Sequence, residues 1–284
     1  MTSETSDVYF CFGPTPGSYL IDTKKRFKWK GMPENMMEHL TNVQKIYYVA
    51  VDQENDGVFG YEDRNGKVWH WEANAIKTKY STLYGKLNDE KPSEVHRSDI
   101  SVVFGPGSYV TCRPTLNGAD WRNLYPQCAS CIKEKNKVRH VALGVDNDYI
   151  VLHEGRGFLY AITRNYPILD SILDNVVGSG STITFVALNP FVAGQFFLIL
   201  DNDTAFFAVH PSLEGEVAEI LREQGIACNA LVKYNPTRTV SKSKPVINVK
   251  NKDFMKELLG HAFGGSVGAV VGQVIAGMSS CSVM

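Results

Sequence analysis

The chain has 284 residues, 44% of them apolar and 11% aromatic, enough for one large core or two smaller ones and too apolar for wholesale disorder. The formal charge of −1 is unevenly spread: seven basic residues and one acid, Asp253, fall between Lys233 and Lys256, so this stretch carries +6 and the remainder −7. An acidic body argues against nucleic acid as its partner and leaves the basic stretch to meet something anionic.

The first residues, MTSETSDVYF, have no basic n-region followed by an apolar run, so no secretory signal is expected and residues 1–7 are a polar N-terminus. The cysteines at 11, 112, 128, 131, 228 and 281 are then expected as thiols in a reducing compartment.

From residue 8 the chain repeats itself. FGPTPGSY begins at Phe12 and FGPGSY at Phe104, 92 positions later, and at the same offset Trp29 recurs as Trp121 and the Val49–Val51 run as Val141–Leu143. A shorter unit lies inside this duplication. The segments that begin at His140 and Phe185 each run as an apolar strand, a polar turn, two further strands, a proline and a helical pattern. Pro33, Pro126, Pro167 and Pro211 stand where those helices should start, a position that tolerates a missing N–H. In PILDSILDNV, Ile168, Leu169, Ile172, Leu173 and Val176 share one helical face. The repeat domain is therefore expected over 8–235, as units 8–45, 46–99, 100–137, 138–181 and 182–225. CNALVKY (228–234) is the candidate strand to close the set against VYFCF (8–12).

In repeat length and strand rhythm residues 8–235 resemble β-propeller repeat proteins, without a G-H…W-D pair or a kelch double glycine. The resemblance implies a mainly β fold, a propeller-like ring of about five β-β-β-helix units. An α+β repeat stack is the alternative.

Few motifs in the body carry chemistry. In DQENDG (52–57), Asp52, Glu54, Asp56, Gly57 and Asp63 match positions 1, 3, 5, 6 and 12 of a calcium loop. The flanks are strand-like, however, and DND at 146–148 and 201–203 occupies the same place in later units, so a hairpin turn is expected and no metal. Trp69 and Trp71 alternate with His70 along one strand and are the candidate platform for a ligand such as a glycan. Trp29 and Trp121 are expected as core anchors. CASC, Cys128 to Cys131, lacks the second ligand pair of a zinc site and is expected as two ordinary helix cysteines. The histidines are scattered, no nucleophile elbow is present, and neither a catalytic residue nor a cofactor is nominated.

Residues 236–257 form a basic linker in which Lys242, Lys244, Lys250, Lys252 and Lys256 would face an anionic lipid surface. The apolar tail 258–284 follows. Gly260, Gly264, Gly268, Gly272 and Ala276 recur at steps of four, a small-residue ridge on a glycine-rich helix. The 21 residues 258–278 would span about 31 Å as a helix.

The last four residues, C-S-V-M, resemble the C-a-a-X box of prenylated proteins, with Ser282 in place of the usual aliphatic residue. The resemblance implies a farnesyl thioether at Cys281, loss of the last three residues and methylation of the new terminus. One prenyl chain holds weakly, and the basic linker and the apolar ridge are the additional signals that firm attachment requires. Prenylation of Cys281 conflicts with a membrane-spanning 258–278 helix, so that helix is expected to lie in the interface or pair with another. A glycine-rich tail with an idle cysteine is the alternative.

The reading is a cytoplasmic, lipid-anchored interaction module that recruits a protein partner through its repeat domain. A carbohydrate-binding propeller using Trp69 and Trp71 is the second reading, and an enzyme with its site in the propeller channel the third.

Overall fold

In a computed structural model, the structure describes residues 8–88, 100–113, 118–133, 137–162 and 164–230. The protein is mainly β, and among the described residues its strands form five small sheets. The first holds β1 (Val8–Phe12), β2 (Tyr19–Thr23) and β3 (Phe27–Lys30), followed by helix α1 (Glu34–Leu40). The second holds β4 (Val43–Val51), β5 (Gly57–Asp63) and β6 (Val68–Glu72), followed by α2 (Asn74–Lys79) and α3 (Ser81–Asn88). The third holds β7 (Ser101–Gly105), β8 (Ser108–Arg113) and β9 (Gly118–Arg122), followed by α4 (Pro126–Lys133). The fourth holds β10 (Val138–Leu143), β11 (Tyr149–His153) and β12 (Phe158–Ala161), followed by α5 (Pro167–Ser179). The fifth holds β13 (Ile183–Leu188), β14 (Phe196–Leu200) and β15 (Thr204–Ala208), then α6 (Pro211–Glu223) and a fourth strand, β16 (Ala227–Ala230).

Each set of three strands is an antiparallel meander. The first strands neighbour one another in cyclic order, β1 beside β4, β4 beside β7, β7 beside β10, β10 beside β13, and β13 again beside β1.

Burial on both faces explains the uninterrupted apolar runs. In β14, Phe196, Leu198 and Leu200 pack toward Ile150, Leu152 and Tyr160 of the fourth sheet. The alternate residues Phe197 and Ile199 pack toward Phe10, Phe12 and Tyr19 of the first. Because successive side chains of a strand point to opposite faces, a strand sandwiched between two cores has no solvent side and reads FFLIL. The Phe10 and Phe197 rings stack at 4.5 Å and 7°. Polar contacts seal the same seam: Tyr19 Oη donates to Glu216 Oε2 at 2.6 Å, and Arg26 pairs with Glu219 and Glu223.

The helices start as their prolines suggest. Pro167 and Pro211 occupy the first turns of α5 and α6, and Pro33 precedes α1. In α6, Leu213, Val217, Ala218, Ile220 and Leu221 form the buried face. Gly180, at φ 73°, ends α5 in the left-handed conformation that glycine adopts without strain. Among the described residues no helix is long and apolar enough to cross a membrane.

Two features of the fold correct the sequence reading. Ala227–Ala230 does not pair with β1 but lies parallel to β15, with Thr204 opposite Ala227 and Phe207 opposite Ala230. The turn at Gly225 (φ 82°) brings the chain back beside β15, completing a strand–helix–strand crossover. The second concerns the DND segments. Residues 146–148 lie between the first two strands of their sheet, whereas 201–203 join the second strand to the third, at the opposite end. The counterpart of Asp52 in the fifth sheet is Asn189.

Candidate functional site

In each sheet the turn between the first two strands carries the chain around one end of the molecule. Four of these turns close with the same backbone bond, Gly13 N to Ser18 O at 3.0 Å, Asp52 N to Asp56 O at 2.8 Å, Gly144 N to Asp148 O at 2.7 Å and Asn189 N to Gln195 O at 2.9 Å. In the third sheet Gly105 pairs with Ser108. Short polar side chains shape several of them. Asp52 Oδ1 accepts from the backbone N–H groups of Glu54 and Asp56. Asn189 Oδ1 accepts from those of Phe191 and Val192. Asp146 (φ 51°) and Asn147 (φ 72°) both adopt the left-handed conformation, which Asn and Asp tolerate better than other side chains.

All five turns contribute to one pocket of about 510 Å³, through Pro14, Gln53, Pro106, residues 144–148, and Pro190 with Phe191. Ser108, Leu124, Tyr125, Cys128 and Tyr149 complete much of its wall. Among the described residues, its charged lining residues are Asp146 and Asp148. Asp146 is exposed, whereas Asp148 is only 7% exposed and its Oδ2 has no hydrogen-bond partner. Burial pushes the Asp148 carboxyl up to about 7. The negative charge of Asp146 adds to the effect, while hydrogen bonds from Asn165 and the Arg164 charge oppose it.

The CASC cysteines sit on α4. Cys128 borders the pocket and Cys131 Sγ lies 3.8 Å from Tyr149 Oη. Burial, reinforced by Cys131 and Cys112, raises the Cys128 thiol well above its ordinary value, so it stays protonated and unreactive at neutral pH.

Beside this pocket lies a hollow of about 380 Å³, bordered by Asp52, Glu54, Lys79, Tyr80, Arg122 and Asn123, with Gln53 shared between the two. The Lys79 ammonium sits among the carboxylates of the DQENDG turn, 3.1 Å from Asp52, 3.3 Å from Glu54 and 2.5 Å from Asp56. Burial alone would lower its pKa, but the hydrogen bonds it donates to Asp56 and Asp52 outweigh it and hold the amine above the usual lysine range. Asp63, which would complete a calcium loop, lies at the far end of β5. There it accepts from the backbone N–H groups of Asn65 and Lys67 and from Trp69 Nε1. The turn thus carries its own cation, and the fourth carboxylate of the calcium pattern is a strand length away.

A smaller cavity of about 50 Å³ lies between the first strands and is lined mostly by apolar side chains, with Tyr9 and His140 among them.

The structure does not bring Trp69 and Trp71 together as a free platform. Trp69 is 38% exposed, with Lys67 Nζ 3.9 Å from its ring centroid. Trp71 is half-buried, packed against the cores on both sides of the second sheet. Trp29 and Trp121 are half-buried and occupy matching register positions, opposite Leu20 and Val110. Cys281, the ridge Gly260, Gly264, Gly268, Gly272 and Ala276, and the linker lysines lie outside the described residues. Sequence reasoning missed Asp148, Tyr125, Ser108 and Phe191. The only signal that could have found them is the recurrence of a turn after each first strand.

No family model matches the chain, and no curated protein matches its sequence.

Proposed function

We propose that the protein is a five-bladed, propeller-like binding module held at an anionic membrane by a farnesyl group on Cys281, and that the pocket at the end of the first strands is where it takes its ligand. The cyclic neighbour order of the first strands supports the ring, since it returns from the fifth sheet to the first without a gap. The observation that carries the binding role is the pocket itself. Turns drawn from all five sheets converge on one polar hollow of about 510 Å³, within the size range of ligand sites. The membrane role rests on the C-S-V-M terminus and the +6 stretch before it. Intact-mass measurement on protein from its own cells tests the anchor. Loss of three residues with gain of a farnesyl and a methyl is expected, and the unmodified mass would remove that part of the proposal.

A second reading places an enzyme in the same pocket. Asp148 favours it, because a carboxyl that titrates near neutrality is suited to general acid–base work.

A further inference from the structure

At the end opposite the pocket, the turns between second and third strands carry a different charge. In the first sheet that turn holds Lys24 and Lys25, both exposed. In the second sheet it holds Arg64 and Lys67, also exposed. The two turns flank one seam. Ile46 N donates to Asp22 Oδ2 at 2.8 Å, tying β4 to the end of β2. Lys45, the next residue back, is exposed and stands opposite Glu62, two positions before Arg64. Five basic side chains thus meet at one corner of the molecule.

The carboxylates among them are already engaged. Asp22 and Asp63 are buried and accept backbone N–H groups, and Glu62 accepts from Tyr47 Oη at 2.5 Å. Arg26, which Glu219 and Glu223 engage, borders the corner on one side. Helix α1 packs against both sheets and carries two exposed acids, Glu34 and Glu38, so basic groups remain in excess. The same turn in the fifth sheet reads Asp201, Asn202, Asp203, which confines the positive corner to the first two sheets. Beside Lys67 stands Trp69, 38% exposed and, among the described residues, the large apolar side chain left in solvent. Its indole is held in place. Nε1 donates to Asp63 Oδ2 at 2.9 Å, and Lys67 Nζ lies 3.9 Å from the ring centroid. A fixed indole among ammonium groups suits the boundary between water and lipid, where the ring enters the headgroup layer and the cations meet anionic lipid.

We propose that this corner is a membrane-contact surface of the body, docking on an anionic bilayer independently of any lipid on Cys281. The proposal deepens the reading of the protein as a membrane-held module and rests on it for the choice of a bilayer as occupant. Charge complementarity and the exposed indole carry it. Docking here also sets an orientation. The pocket lies at the other end of the same sheets, so its mouth turns away from the lipid.

Full-length protein made in bacteria carries no farnesyl group, so vesicle binding measured on it stands apart from the fate of Cys281. Co-sedimentation uses phosphatidylcholine and phosphatidylserine at about three to one, with pure phosphatidylcholine as the uncharged match. The parent should bind the anionic vesicles, ignore the neutral ones and lose affinity as salt rises. A basic residue held at an anionic surface adds up to about fivefold in affinity, so Lys25→Gln with Arg64→Gln should weaken binding about tenfold. Lys30→Gln with Lys77→Gln, at two exposed positions toward the pocket end, removes the same charge and should leave binding nearly unchanged. Brominated lipid should quench the parent's tryptophan fluorescence, and Trp69→Phe should lose most of that quenching. Circular dichroism confirms that each variant is folded. Equal losses in the two double variants would reduce the effect to net charge and overturn the surface. A parent that ignores anionic vesicles, or whose binding neither double variant weakens, overturns it too. Quenching that persists in Trp69→Phe would turn another face to the lipid. Binding to a short duplex RNA in place of vesicles would make nucleic acid the partner. An unmodified mass for the cellular protein removes the anchor alone and leaves the vesicle result standing.

Discussion

Tyr9 and His140 perform the same task at the same place in two different sheets. Each stands three residues before the end of its first strand, counted from Phe12 in β1 and Leu143 in β10. Tyr9 Oη donates to Val49 O and accepts from Val49 N, both at 2.9 Å, tying β1 to β4. His140 Nε2 donates to Val186 O at 2.7 Å, tying β10 to β13. A first strand pairs with its second strand along one edge only, so the other edge leaves backbone groups that side chains must satisfy. Tyr9→Phe removes the hydroxyl and keeps the ring. Leaving buried backbone groups unpaired costs about 1–3 kcal/mol. The variant should melt several degrees below the parent in a thermal scan, at about 2–4 °C per kcal/mol for a chain of this size. An unchanged melting temperature would show that the bridge adds nothing to the seam.

His140 should also leave a mark on the acid side. Burial lowers its pKa to about 4, and the charge of Arg139 acts in the same direction. The unfolded chain takes up the proton near pH 6.5, whereas the folded chain refuses it until about 4. Stability from this group is thus fully present above pH 6.5 and declines as pH falls toward 4, by up to roughly 3 kcal/mol. Asp22, raised to about 6 by burial, and Asp148 act in the opposite sense, so the comparison must be made against a variant. His140→Gln retains a donor toward Val186 and cannot be protonated. Its melting temperature should fall less than the parent's between pH 7 and pH 4.5.

The architecture was legible in the sequence where both faces of an element answer to one constraint. The run FFLIL, Phe196 to Leu200, is apolar throughout because it separates two cores, and the 92-residue offset between Trp29 and Trp121 corresponds to matching strand register. The pocket was not legible, because its wall is assembled from five turns that are far apart in the chain and meet only through the cyclic arrangement of the sheets. Asp148 looked like Asp203, a polar residue in a tight turn, and only burial separates them: Asp148 is 7% exposed and Asp203 lies in the open. The short run before 230 was misplaced for a related reason. Its few small residues fit any sheet edge, and the crossover after α6, not the strand itself, selects β15.

Lys79 holds the place a bound cation would take in the DQENDG turn. Asp52, 3% exposed, shares the ammonium with Glu54 and Asp56. Lys79→Met keeps the length of the side chain and removes its charge, leaving three carboxylates around one point. Breaking a pair of which one member is buried destabilises strongly, here by about 1–3 kcal/mol because Lys79 itself is partly solvated. The vacated site offers oxygen donors suited to a hard cation, so calcium at about millimolar concentration should recover part of the lost melting temperature in the variant and leave the parent unchanged. A calcium response equal in both proteins would refute the idea that the lysine substitutes for an ion.

Asp148 couples folding to protons. Its carboxyl titrates at about 7 in the folded protein against a reference value of 3.8, chiefly through burial. The folded state therefore holds this proton more tightly than the unfolded chain, and the stability it contributes is fully present below about pH 4 and is lost as pH rises toward 7. Asp148→Asn mimics the protonated form, so its melting temperature relative to the parent should increase between pH 4.5 and pH 7.5. Thermal scans of the two proteins at those two pH values measure the difference, and a difference in melting temperature that stays the same at both would show that Asp148 titrates alike in the folded and unfolded chain.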